Sequence, residues 1–189
     1  METRKHIIEV AFRLFAEKGT EFSIAEITKE VGIQKASFYA HFSSKETLLY
    51  EIIDREIDNY FLEIKEGNRD LKNIFFSILD YYQDSEVKLY FWKRLLLFPP
   101  KTFKETLVKK IADLSLQRFE IIKKIIGEYI DNGSLPTQNI DKSAIAFLSL
   151  IHGLLSSSII YNYRDRNDEY IEIWQDFWKG IGGKEYDDA

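Results

Sequence analysis

The sequence predicts an all-α protein: a small N-terminal three-helix unit of the helix-turn-helix type, followed by a larger helical domain. Three observations predict it. Apolar residues recur at helical spacing along most of the chain. Only nine Gly and three Pro interrupt 189 residues, too few for a turn-rich sandwich or barrel. Ser-x-x-Glu or Thr-x-x-Glu spacings, the mark of a capping box, stand before three of the apolar runs. An apolar fraction of 45 % is enough to build a core.

Ile7, Ile8, Ala11, Phe12, Leu14 and Phe15 share one helical face, and Gly19 follows where a left-handed cap would sit, so the first helix is expected over Thr3 to Lys18. Ser23 and Glu26 form a capping box flanked by Phe22 and Ile27, which starts a second helix that ends at Val31-Gly32. A third, brief helix is expected through Ala36 to Phe42. Ser43 and Glu46 repeat the box before a long helix that closes near Gly67-Asn68. Further helices are expected over Leu71 to Tyr82 and Val87 to Leu97, with a break at Pro99-Pro100. Thr102 and Glu105 then cap a helix running to Asp131-Asn132-Gly133. Two more follow, about Asp141 to Tyr163 and Asp168 to Lys179, and the tail from Gly180 to Ala189 is expected to fray. The domain boundary is placed at residues 46 and 47, giving units of 1–46 and 47–189.

Several classes fall away on composition. With 26 Lys plus Arg against 31 Asp plus Glu, the net charge of −5 excludes a generally basic coat protein. No Cys is present, which excludes disulfides, thiolate zinc and Cys nucleophiles. The three His residues, His6, His41 and His152, show no metal-ligand spacing, and Gly180 to Gly183 lacks the layout of a phosphate loop, so no enzyme, cofactor or metal is expected. The N-terminus runs straight into an amphipathic pattern, which favours a cytoplasmic protein. Ser143 to Tyr163 carries no charged residue and is long enough to span a bilayer, but five Ser, His152 and Asn162 interrupt it. A buried helix of a soluble protein, with no membrane partner, is the expectation.

Charge distribution points to function. Met1 to Tyr50 holds seven cations and seven acids, yet Ile33 to Lys45 holds Lys35, Lys45 and His41 and no acid. A neutral unit therefore has one positive edge, as attraction to a phosphate backbone requires. Lys45 stands in the first turn of the long helix, where the macrodipole disfavours a cation unless an anion is bound beside it. A solvated Lys is the alternative. Tyr39 and His41 are placed either to donate to phosphates or to pack on the first helix.

Ser23 to Leu49, reading SIAEITKEVGIQKASFYAHFSSKETLL, resembles the N-terminal signature of the TetR family of bacterial transcriptional regulators. The resemblance is carried by Ile27, Gly32, Ile33, Phe38-Tyr39, His41-Phe42, Lys45-Glu46 and Leu48. It implies that Lys35, Ala36 and Ser37 face base edges of a double-stranded DNA operator, and that Ser23, Tyr39, His41 and Lys45 touch phosphates. Two positions depart from the family pattern: Thr28, where Ala is usual at the helix crossing, and Gln34, where Ser is usual at the cap of the recognition helix.

The resemblance also implies a homodimer whose C-terminal helices form the subunit interface and the pocket for a small-molecule effector, with ligand binding releasing a repressor from a palindromic operator. Ser149, Gly153, Ser156 and Ile160, with Trp174 and Trp178 of the last helix, are the candidate interface; closing the subunit's own core is the alternative. Tyr82, Phe91, Trp92, Phe119 and His152 are the candidate lining of a largely apolar pocket, with core packing as the alternative and a buried, satisfied imidazole as the alternative for His152. The competing function is a helical ligand-binding or adaptor protein without sequence-specific DNA binding.

Overall fold

In a computed structural model of the chain, residues 2–65, 70–83, 85–99, 105–161 and 167–184 are described. Among them lie nine α-helices and no strand. These are α1 (Glu2–Lys18), a single 3-10 turn (Gly19–Glu21), α2 (Ile24–Val31), α3 (Lys35–Tyr39), α4 (Lys45–Lys65), α5 (Leu71–Gln83), α6 (Glu86–Leu97), α7 (Glu105–Asp131), α8 (Ile140–Ile160) and α9 (Asn167–Gly180). Thr102 and Pro100 lie outside the described residues, so the third capping box is described only from Glu105 onward.

The helices group into two compact units. One comprises Met1–Leu62 and Asp84–Ile111, the other Glu63–Gln83 and Ala112–Ala189. The division in packing thus differs from the boundary at residue 46: α6 and the start of α7 belong with the N-terminal helices. The reason lies in α1, which is apolar on two sides. Ile7, Ala11 and Phe15 are fully buried, and Phe91 of α6 packs its ring 4.7 Å from Phe12 and 5.3 Å from Phe15. Trp92 lies 4.7 Å from Tyr60 of α4.

The C-terminus of α1 is closed by a residue 77 positions away from it. Arg94 of α6 donates from Nε to the Ala16 carbonyl at 3.2 Å and from Nη2 to the Glu17 carbonyl at 2.8 Å, satisfying acceptors that a helix end leaves open. Gly19, at φ +65, turns the chain there, and a Cβ on it would come within 3.3 Å of the Arg94 side chain. The left-handed Gly expected from sequence is present, and a long-range arginine supplements it.

In the second unit, Trp174 of α9 sits among Phe75 of α5 at 5.5 Å, Phe147 of α8 at 6.4 Å and Phe177 at 5.9 Å. Trp178 lies 5.2 Å from Tyr129 of α7. Ile122, Ile125 and Ile126 of α7 and Phe147, Ile151 and Leu155 of α8 complete this core. The expected frayed tail is corrected over its first residues: the Gly183 N–H donates to the Trp178 carbonyl at 2.8 Å, the Lys184 N–H to Ser134 at 3.1 Å, and Trp178 Nε1 to the Lys184 carbonyl at 2.6 Å. A buried indole N–H needs an acceptor, and this turn provides one.

Candidate nucleic-acid interface

The interface is built from α2, α3 and the start of α4. Ser23 caps α2 as expected. Its hydroxyl accepts from the Glu26 N–H at 3.2 Å, while the Glu26 carboxylate accepts from the Ser23 N–H at 2.8 Å and from its hydroxyl at 2.9 Å. Lys18 donates to the same carboxylate at 2.6 Å, and this contact, reinforced by Ser23, holds the Glu26 carboxyl at about 2. Arg13 of α1 bridges Glu17 of the same helix at 2.9 Å and Glu30 of α2, so Arg13–Glu30 and Lys18–Glu26 are two ion pairs that join α1 to α2. The single hydroxyl proton of Ser23 is thus committed to Glu26, and Ser23 can donate to a phosphate only by giving up that bond.

Gly32 caps α2 at φ +75, a conformation L side chains resist, and the Gly32 and Ile33 N–H groups both donate to the Thr28 carbonyl. Thr28 is buried at the crossing, and its hydroxyl donates to the Ala25 carbonyl at 3.2 Å, so the departure from Ala is accommodated with no polar group stranded.

After the turn, α3 runs only five residues. A helix this short has no stability of its own in water. It is held by Phe38, fully buried, and by Phe42, 2 % exposed, to which the backbone continues through turns at Ala40 and His41. With Phe38 pointing in, Lys35, Ala36, Ser37, Tyr39 and His41 are all exposed, Tyr39 to 54 %. Tyr39 stands edge-on to Phe38 at 5.5 Å and leaves its phenol at the surface, so neither Tyr39 nor His41 is packed away against α1.

Lys45 is not the solvated lysine of the alternative reading. Its Nζ donates to the carbonyls of Thr20 and Phe22, each at 2.8 Å, and lies 5.2 Å from the centre of the Phe22 ring. It clamps the start of α4 to the segment before α2, and one of its three N–H donors remains for a phosphate. The cap of α4 is also shifted by one residue. The Ser44 hydroxyl, not that of Ser43, accepts from the N–H three residues on, that of Thr47, at 3.1 Å. Glu46's own N–H and the Ser44 hydroxyl hold its carboxyl below the ordinary range. Ser43, Ser44 and Thr47 thus form a connected hydroxyl cluster at this helix start. Arg4 lies over the Phe42 ring at 4.9 Å and pairs with Glu51 at 2.6 Å, fixing α4 to α1.

The candidate effector residues are divided between the two units. Phe91 and Trp92 are core rings of the first unit, as described above. In the second unit, Tyr82 is buried, Phe119 is half-buried beneath Lys123 at 5.6 Å, and His152 is exposed, which corrects the expectation of a buried imidazole. An open cleft of ≈ 350 Å³ in the first unit is lined by Tyr50, Glu51, Asp54, Leu107 and Lys110, none of them foreseen. Lys110 bridges Asp54 at 2.6 Å and Asp58 at 2.8 Å on its rim.

The candidate dimer residues divide. Trp174 and Trp178 are 2 % and 5 % exposed within the single chain, so they close its own core instead of facing a partner. Ser149, Gly153 and Ile160 are exposed, Ile160 to 68 %, and Ser156 is partly so. With Ile145, 56 % exposed, they share one face of α8, opposite the buried Ala144, Phe147, Ile151 and Leu155. The expectation of a buried α8 is corrected accordingly: the helix is apolar enough to cross a membrane, with a mean hydropathy of 1.8, but the single chain covers one side of it.

Residues 7–52 match the sequence profile described as "Bacterial regulatory proteins, tetR family". The uncharacterized HTH-type transcriptional regulator YerO of Bacillus subtilis (strain 168) is 29 % identical over 203 aligned residues, covering 84 % of this chain and 68 % of that protein. An HTH-type transcriptional regulator of Staphylococcus aureus (strain USA300) is 37 % identical over 84 residues, 42 % of this chain and 45 % of its own length. The N-terminal unit of the chain is thus that of a TetR-family regulator. Its fold agrees: a tetR-family regulatory protein from Rhodococcus RHA1 superposes with a TM-score of 0.73 at 18 % identity, covering 98 % of this chain and 100 % of that one. With this N-terminal unit and these relatives, the chain is a DNA-binding transcriptional regulator and not an enzyme. TetR-family proteins bind DNA as dimers and bind small-molecule effectors.

Proposed function

We propose that this TetR-family regulator is a cytoplasmic homodimeric repressor of a palindromic operator, released by a small, largely apolar effector. The observation that carries the DNA-binding part is the acid-free outward face of Lys35, Ala36, Ser37, Tyr39 and His41, fixed by the buried Phe38. The N-terminal end of a recognition helix meets base edges, and two such helices read successive major grooves about 34 Å apart. Ser23, the remaining N–H of Lys45, and Ser43, Ser44 and Thr47 at the start of α4 are the positioning contacts to phosphate. The exposed α8 face is the surface that a second copy covers, since its interspersed Ser149, His152, Gly153 and Ser156 suit close helix packing better than lipid.

Fluorescence anisotropy with labelled genomic fragments at low and moderate salt tests this. Sequence-selective binding that weakens steeply with salt is expected. Absence of selectivity at both salts would leave an adaptor. Lys35→Ala is expected to change base preference. Lys45→Ala is expected to weaken binding to all sequences, and, because two of its donors hold the fold, also to lower the thermal midpoint.

A further inference from the structure

We propose that Gln34, a residue outside the contact set given above, reads an adenine·thymine pair in each half-site. The inference rests on the DNA-binding reading and adds the base that one side chain recognises.

Gln34 is the N-cap of α3, with extended backbone at φ −81 and ψ 153. Its carbonyl accepts from the Ser37 N–H at 2.9 Å and from the Phe38 N–H at 3.3 Å, so its main chain is fixed to the first turn of the recognition helix. Its side chain makes no capping hydrogen bond, and the residue is exposed. The cap position favours Ser, Thr, Asp or Asn, whose short side chains reach back to the helix N–H groups, and a longer carboxamide gives that stabilisation up. Three other caps in the first unit follow the rule, with Ser23 on α2, Ser44 on α4 and Ser85 on α6 each accepting from a backbone N–H. A lapse in local sequence preference at one position of an otherwise consistent unit marks a position retained for something else.

Chemistry narrows what that is. From Val31 to Phe42 Gln34 carries the single carboxamide. Lys35 offers donors alone, Ser37 one rotating hydroxyl and Ala36 a methyl group, so none of these makes the paired donor and acceptor contact that distinguishes adenine. A carboxamide does: Nε2–H donates to N7 while Oε1 accepts from the N6 amino group in the major groove. Gln34 stands beside Lys35 on the exposed side of the segment whose buried side is fixed by Phe38, which is where the first base-reading side chain of a recognition helix stands.

The test is selection from a randomised duplex library with the full chain and with Gln34→Ser, Gln34→Ala and Gln34→Glu. The wild type is expected to enrich a motif with adenine favoured at one position per half-site by about 5- to 150-fold, the range of a bidentate contact. Gln34→Ser and Gln34→Ala should flatten that position while keeping the others, and Gln34→Glu should move it towards cytosine, whose N4 amino group a carboxylate accepts. Replacing the adenine with 7-deazaadenine should weaken the wild type and leave Gln34→Ala unchanged. Thermal melts separate reading from folding, because Ser restores a good cap and should keep or raise the midpoint. The proposal is overturned if the variants enrich the wild-type motif with undiminished strength, or lose affinity evenly at every position. A wild type that enriches no motif overturns it together with the DNA-binding reading.

Discussion

Two open faces of this molecule invite comparison, that of α3 in the first unit and that of α8 in the second. Each lies opposite a row of buried aromatic or aliphatic side chains, Phe38 and Phe42 beneath one, Phe147, Ile151 and Leu155 beneath the other. Their outward chemistry is opposite. The α3 face shows Gln34, Lys35, Ser37, Tyr39 and His41, all able to exchange water for a hydrated polyanion at little cost. The α8 face shows Ile145 and Ile160 around Ser149 and Gly153, a surface that gains from being covered by protein. Exposure alone therefore does not define a site. On the function proposed above, the nature of what is exposed decides between nucleic acid and a second copy.

The comparison breaks most severely at Phe38. Phe38→Ala should cost about 3–5 kcal/mol in urea unfolding and abolish DNA binding, since Phe38 is the one fully buried side chain of a five-residue helix and Phe42, beyond its end, cannot hold it alone. On the other face, Ile160→Glu combined with Ile145→Glu should raise the dimer dissociation constant about a hundredfold or more, measured by sedimentation equilibrium, with helix content unchanged. A persisting dimer would move the subunit seam off α8. Arg94→Ala should cost about 1–3 kcal/mol by freeing the Ala16 and Glu17 carbonyls. Arg94→Lys should recover only part of it, because an ammonium lacks the planar fork. The smallest effect concerns Glu26. Its carboxyl is held at about 2 against an ordinary 4.5, so its contribution is complete above pH 4.5 and is lost as pH falls towards 2. Acid titration of stability should show this limb in the wild type and lack it in Glu26→Gln.

What the sequence discloses follows the range of the interaction concerned. The Ser23–Glu26 box, the left-handed Gly32 and the Phe38-in, Lys35-out polarity of the reading segment depend on neighbours within four residues, and they stand where the pattern puts them. The start of α4 shows the limit of that reasoning: adjacent Ser43 and Ser44 both fit a cap, and the choice of Ser44 depends on the path of the incoming chain. Lys45 and Arg94 were out of reach because their acceptors lie 23 to 25 and 77 to 78 residues away. Apolar periodicity likewise gives a helix its faces without saying which turns inward, which is why Trp174 and Trp178 went to the core while His152 came to the surface. The stretch from Gly180 looked unstructured because the bonds that tie it down beyond the helix end, from the Lys184 N–H to the Ser134 carbonyl and from the Gln138 carboxamide to the Ile181 carbonyl, are tertiary.

The short third helix has an evolutionary corollary. Its shape is borrowed from two phenylalanines that no solvent or duplex ever meets, while Gln34 to Ser37 hold up nothing beneath them. Those outward letters can be rewritten one at a time without endangering the chassis. If these residues read bases as proposed, a lineage carrying this scaffold can acquire a new genomic address through a handful of surface substitutions and keep every other working part.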